Sequence, residues 1–412
     1  MKSEIDELME ANQLDALLVT GPAQHNPAMY YFTGGGHITN ADLIKVRGSD
    51  PVLFHYPMER DEAAKTGLDT RNLTDYKYSE LLKQTGGDVR QANILRYQKM
   101  LKDLSIISGR LAVYGKVDAG YTYGVFAGLQ DAMPGLTLVG EVGDTILLTA
   151  MATKDKSEVE RIRRMGQVTV SVVGQTAEFL TSQQVENDVL VFPDGRPVTI
   201  GDVKQRINLW LLEQGAEAPE GVIFAIGRDA GVPHSAGTPQ DVLRLGQTII
   251  FDIFPCEAGG GYYYDFTRTW CLGYATDEAL LLYEDVLAVY TQIMSELKAG
   301  GECPQYQRRT CELFEARNHP TIMKNPQTED GYVHSLGHGL GLYVHERPAF
   351  STSANLADRL LPGSVVTIEP GLYYPGRGMG VRLEDTVWVR PDGIIEVLAE
   401  YPLDLVLPLK SR

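Results

Sequence analysis

The chain has 412 residues, 43% hydrophobic and 22% charged, with 37 basic against 54 acidic side chains and a net charge of −17. The length allows two or three domains, of which two are favoured, the composition excludes a disordered chain, and the charge argues against nucleic acid or an anionic membrane as a partner. MKSEIDELMEANQLDALLVTG lacks a signal peptide's apolar core, no stretch reaches the roughly 20 apolar residues of a membrane span, and Cys256, Cys271, Cys303 and Cys311 form no CxxC pair, so a cytoplasmic protein with reduced thiols is expected.

The first part alternates strands and helices. DALLVT at 15–20 is followed by a turn, MYYFTGGG, then PVLFHYP running into MERDEAAKTG. GDVRQANILRYQKMLKDLSII has helical spacing, RLAVYG reads as a short strand, and TYGVFAGLQDAM reads as a helix before TLVGEV. This predicts a smaller α/β domain over 1–150, with the second domain occupying 151–412.

KDKSEVERIRRMGQVTVSVVGQTAEFL opens the second domain as a long amphipathic helix. In VTIGDVKQRINLWLLEQG, Thr199 and Asp202 have the spacing of a capping box and Gly215 marks the end of the helix. Two more helices are expected at about 276–299 and 304–318, and Cys303 and Cys311, eight apart in a helical stretch, fall roughly on one face. GVIFAIG, QTIIFDIFP, GYYYDFTRTWCLG, GSVVTIEPGLYY, MGVRLEDTVWV and IIEVLAE read as strands. Without regular βαβ spacing, this order predicts an α+β domain with a curved, mostly antiparallel sheet covered by helices on one side.

Chemistry concentrates in those strands. Asp252 interrupts TIIFDIF, and Asp265 follows thirteen positions later, across a glycine turn that a hairpin would close. Taken singly, an aspartate in a strand more often marks an edge or a turn. Glu369 ends SVVTIEPG and Glu384 lies in VRLEDTVWV, where Arg382, Glu384 and Thr386 alternate onto one face and Leu383, Asp385 and Val387 onto the other. That alternation sets Arg382 beside the Glu384 carboxylate. His334, His338 and His345 cluster in GYVHSLGHGLGLYVHERP, whose glycines exclude an HExxH helix and suggest close backbone approach. Burying an isolated carboxylate costs several kcal/mol, so four of them, with an imidazole, ask for a shared cation. Oxygen ligands with one imidazole suit two divalent ions, Mn²⁺, Co²⁺, Fe²⁺ or Zn²⁺, and hydrolysis is the natural use of such a pair.

HSLGHGLGLYVHERP, TIEPGLYY and VRLEDTV, in this order after the two aspartates, resemble the signature segments of the pita-bread metallopeptidases, in the branch of Xaa-Pro aminopeptidase, Xaa-Pro dipeptidase (prolidase) and creatinase. The N-terminal DALLVT to MYYFTGG stretch resembles their accessory domain. The resemblance implies that Asp252 binds one ion, that Asp265 and Glu384 bridge both, and that His338 and Glu369 bind the second. It further implies that Glu369 acts as general base and that His234 in GVPHSAG and His345 contact the substrate, with His334 nearby and Arg382 supporting the ligands. The same resemblance implies manganese as the favoured metal, a proline-containing peptide or dipeptide as substrate, attack by a metal-bridging hydroxide as the mechanism, and a homodimer as the assembly.

Two features depart from the family pattern: the aspartates are thirteen apart instead of eleven, and Tyr343 stands where relatives commonly place Asp. An even insertion keeps both aspartates on one face. The competing readings are creatinase, which is metal-free and disfavoured by the retained ligand set; a metal-dependent hydrolase or lyase of a small osmolyte; and a non-catalytic binding protein.

Overall fold

A computed structural model describes residues 4–351 and 358–409; the extreme ends of the two expected domains lie outside it. The chain forms two compact units, one running to Ala150 and including Gly259–Gly261, the other comprising Met151–Ala258 and the residues from Tyr262 onward.

The N-terminal unit is built on a six-stranded mixed sheet. Its strands are β1 (Ala16–Gly21), β2 (Ala41–Val46), β3 (Val52–His55), β4 (Asp69–Asn72), β5 (Gly109–Gly115) and β6 (Leu136–Val139), in the order β4-β3-β2-β1-β5-β6. Helices α1 (Val89–Asp103) and α2 (Ala119–Ala132) cover it, sharing one core with the strands through Ile94, Tyr97, Leu101, Phe126 and Leu129. Strand β2, like the polar β4, is not revealed by hydrophobic pattern. Its Asp42 and Lys45 are both buried; Asp42 accepts a 2.8 Å hydrogen bond from Tyr97 and Lys45 pairs with Asp6 at 2.5 Å.

In the C-terminal unit α3 (Lys156–Ser182) begins at a capping box of Asp155 and Glu158, and α4 (Ile200–Glu213) at one of Thr199 and Asp202. Strands β7 (Val222–Ile226), β8 (Thr248–Ile253) and β9 (Phe266–Leu272) run antiparallel. Beyond them lie α5 (Asp277–Glu296) and α6 (Cys303–Glu315), on which Cys303 and Cys311 are both buried. A second antiparallel sheet contains β10 (His338–Gly339), β11 (Glu346–Ala349), β12 (Val365–Ile368), β13 (Asp385–Val389) and β14 (Ile395–Val397), in the order β11-β10-β12-β13-β14.

The segment from Val365 to Val389 is one long antiparallel excursion interrupted in the middle. Val365–Ile368 pairs with Asp385–Trp388, and Gly371–Tyr374 pairs with Met379–Arg382 as a separate two-stranded ribbon. Glu369 and Glu384 both fall in the interruption. The Glu384 N–H, released from the hairpin ladder, donates instead to the Thr267 carbonyl of β9 at 3.0 Å, which joins the two sheets. On the other face Leu383 and Val387 enter a core with Leu282, Val286 and Phe314 of α5 and α6. Each such fully buried aliphatic side chain stabilises by about 1.5–3 kcal/mol, so this packing fixes which face Glu384 presents.

Candidate metal and active site

Asp252, on β8, stands opposite Thr267 on β9 in register, and Asp265 lies two residues before Thr267. Two residues is one period of a strand, so both carboxyl groups project from the same side of the hairpin despite their thirteen-residue separation. The bridge Cys256–Tyr263 closes the longer turn. Thr267, on that same side, donates its hydroxyl to Glu384 Oε2 at 2.6 Å.

The histidine segment is non-helical throughout, and its glycines are close-approach positions. A Cβ on Gly337 would overlap the Thr367 carbonyl, and one on Gly339 the Arg347 carbonyl. With these contacts made, the His338 N–H donates to Thr367 Oγ1 at 3.1 Å, and His338 Nε2 lies 3.6 Å from Asp265 Oδ2 and 3.4 Å from Glu369 Oε1. Asp265, His338 and Glu384 offer ligand atoms all within 4.8 Å of one another. His345 packs against His338 with ring centroids 4.3 Å apart. Tyr343 is half-exposed and donates its backbone N–H to Glu346 Oε1 at 3.0 Å.

Asp252, Asp265, His338, Glu369, Glu384, His234, His334, His345 and Arg382 all line one cavity of about 560 Å³. Arg382 is buried and donates from Nη2 to Asp252 Oδ2, from Nε to Thr267 Oγ1 at 3.1 Å and from Nη1 to the Tyr373 hydroxyl at 2.7 Å. Its ion pair is therefore with Asp252, across the sheets, and not with its strand neighbour Glu384. The reason is the alternation itself: Arg382 and Glu384 share a face, but the guanidinium reaches past Thr267 to the strand beyond. Tyr373, absent from the predicted set, also stands 2.9 Å from His334 Nε2.

Burial dominates the electrostatics. It raises Asp265 and Glu384 well above the usual carboxylate range, with mutual repulsion and the charges of Asp252 and Glu369 adding to it. Burial likewise pushes Glu369 up to about 8, against the pull of Arg382. It holds His338 and His334 down to about 3, the His338 shift reinforced by neighbouring His345 and the His334 shift by Arg382. Asp252 Oδ1 and Glu384 Oε1 are buried with no hydrogen-bond partner among the described residues. Orphaned carboxylate oxygens on Asp252 and Glu384, repelling acids, and ligand atoms of Asp265, Glu384 and a neutral His338 within 4.8 Å of one another form a donor set that fits hard divalent cations.

Residues 160–391 match the model of metallopeptidase family M24, and residues 3–143 match the creatinase/prolidase N-terminal domain. An uncharacterized peptidase of Staphylococcus aureus is 30% identical over 408 residues, covering 96% of this chain and 97% of its own. The Xaa-Pro dipeptidase of Pyrococcus furiosus is 24% identical over 401 residues, covering 95% and 97%. Among solved structures, a dipeptidase from Pyrococcus horikoshii superposes with a TM-score of 0.72 at 22% identity, covering 98% of each chain. The X-Pro aminopeptidase of Thermotoga maritima gives 0.71 at 23%, covering 95% of this chain and 97% of that one. The α+β architecture is thus a creatinase-like α/β domain followed by a pita-bread domain with a curved, mostly antiparallel sheet. The chain belongs to metallopeptidase family M24.

Proposed function

We propose that the protein is a divalent-metal-dependent hydrolase of the peptide bond preceding proline. The observation that carries this reading is the gathering of three buried acids, the part-buried Glu369 and His338 around one small-molecule-sized cavity, with two carboxylate oxygens unpartnered among the described residues. Relatives named Xaa-Pro dipeptidase span nearly the whole chain. Asp252, Asp265, His338, Glu369 and Glu384 would hold two ions, manganese being the favoured metal. Divalent ions bound there supply Lewis acidity, which activates water near neutral pH and polarises a carbonyl.

The protein's own groups divide the remaining work. Glu369, with a pKa near 8 before any cation lowers it, is suited to take a proton from the attacking water and return it to the proline nitrogen as that nitrogen leaves. His334, kept neutral by burial, can hydrogen-bond without repelling cations, and Tyr373 holds it in place. His234 and His345 face the same space and are assigned to the substrate carbonyl oxygen. Arg382 anchors Asp252 and Tyr373, fixing two walls of the site at once.

Metal-stripped protein reconstituted with Mn²⁺, Co²⁺ or Zn²⁺ and offered Xaa-Pro dipeptides, Xaa-Pro-Xaa peptides and matched Xaa-Ala controls tests the reading. Cleavage confined to the bond before proline, and dependent on added metal, is expected. Metal-loaded protein inert toward every Xaa-Pro compound would sink it.

A further inference from the structure

The cavity carries one cation that the reading above leaves without a role. Helix α4 buries Val203, Ile207 and Leu211 on one side, while Lys204 and Asn208, one turn apart, line the cavity from its flank. Arg382 and Lys204 are the Lys and Arg side chains of the lining. Arg382 is committed to Asp252, Thr267, Tyr373 and the Pro233 carbonyl. Among the described residues Lys204 donates to a single acceptor, the Ala236 carbonyl oxygen, at 2.5 Å. That carbonyl lies two residues beyond His234, so the segment that brings an imidazole to the cavity also aims the ammonium.

An ammonium has three donors, and here two remain. Lys204 is half-buried, and burial alone acts on its pKa, lowering it. Glu220, the remaining acid of the lining, acts on His345 and not on Lys204, so among the described residues the cavity wall supplies no counter-ion. A cation placed like this in a cavity of about 560 Å³ gains most from an anionic group brought by the ligand. An Xaa-Pro bond has no N–H to be gripped, which leaves the termini of a short peptide as its strongest handles.

Resting on the Xaa-Pro reading, we propose that the Lys204 ammonium, assisted by the Asn208 carboxamide, receives the free α-carboxylate of an Xaa-Pro dipeptide. The protein is then a dipeptidase, and a residue carboxyl-terminal to proline removes the charge from the position where Lys204 meets it.

Steady-state kinetics of Mn²⁺-loaded wild type, Lys204→Met and Lys204→Arg on Ala-Pro, its C-terminal amide and Ala-Pro-Ala test this. Wild type is expected to prefer the free acid. Lys204→Met should raise KM for Ala-Pro roughly 10- to 100-fold, the value of a charge-assisted hydrogen bond, with the loss in KM and not in kcat. The acid-to-amide ratio of kcat/KM should collapse with it and be largely restored by Lys204→Arg. Wild type that favours the amide or the tripeptide overturns the anchor, as does a ratio that Lys204→Met leaves at its wild-type value; in both cases the Xaa-Pro reading stands. Wild type that cleaves none of the three overturns both.

Discussion

Asp265, Glu369 and Glu384 are held toward their protonated forms by burial and by one another, while His334 and His338 are held neutral by the same burial. The two groups of residues act on stability with opposite signs. Below the ordinary histidine pKa of about 6.5, the unfolded chain takes up protons that the two folded imidazoles refuse, so stability rises with pH. Between the ordinary carboxylate range and about 8, folded Glu369 holds a proton that the unfolded chain has released, so stability falls as pH rises. From roughly pH 6.5 to 8 only the acids remain active, and metal-free protein should lose thermal stability across that window. Saturating Mn²⁺ should flatten the slope, since ligation needs the ionised form. A melting temperature of the metal-free protein that is constant or rising from pH 6.5 to 8 would contradict this account of the site.

Glu369→Gln keeps the shape of the side chain and removes its ability to take a proton. It should lower kcat by roughly 10²- to 10⁴-fold with far-ultraviolet circular dichroism unchanged; near-normal turnover would take Glu369 out of the proton path. The four acids, Arg382, His334, His338 and His345 stand out in the sequence because a charge or imidazole inside an apolar or glycine-rich run is conspicuous, whereas His234 enters only through the family resemblance. Tyr373 and Lys204 do not stand out, since a tyrosine in GLYY and a lysine on an amphipathic helix look ordinary until the cavity is seen.

Elements whose pattern agrees with their burial, such as α3, α4 and the pair β8–β9, were legible from spacing and caps. Strand β2 was not, because the usual meaning of Asp42 and Lys45 is solvent exposure, and only tertiary partners reverse it. The interrupted hairpin was half legible: alternation placed Arg382 and Glu384 on one face, yet nothing in it announced that pairing breaks at Glu369 and Glu384.

The opposite face hides a second unforeseen feature. Arg268, 1% exposed on β9, donates to Asp385 Oδ1 at 2.9 Å, to the Glu384 carbonyl at 2.8 Å and to the Pro402 carbonyl at 3.0 Å, while Tyr290 of α5 donates to Asp385 Oδ2. This network grips the backbone of Glu384 from behind. Asp385→Asn leaves the buried guanidinium without its counter-ion and should destabilise the protein by about 3–5 kcal/mol in urea unfolding. A cost within about 0.5 kcal/mol would mean that the carbonyls alone satisfy Arg268.

At the scale of the whole chain, the division of labour is asymmetric. Every residue assigned to a metal lies between 252 and 384, on elements of the C-terminal unit, whereas the N-terminal unit has a six-stranded sheet and a core of its own. Ligand binding stabilises only the cooperative unit that contains the site, by roughly 2.7 kcal/mol at a free metal concentration 100 times Kd. Calorimetry in Mn²⁺ and then in excess chelator should therefore move one transition and leave the other near its original temperature. The shifted transition can be assigned by the aromatic signal of Trp270 and Trp388, since all three tryptophans, with Trp210, belong to the C-terminal unit. Tryptophan fluorescence that melts at the same temperature with and without chelator, beside a calorimetric transition that shifts, would place the stabilising ion outside the cavity formed by Asp252, Asp265, His338, Glu369 and Glu384.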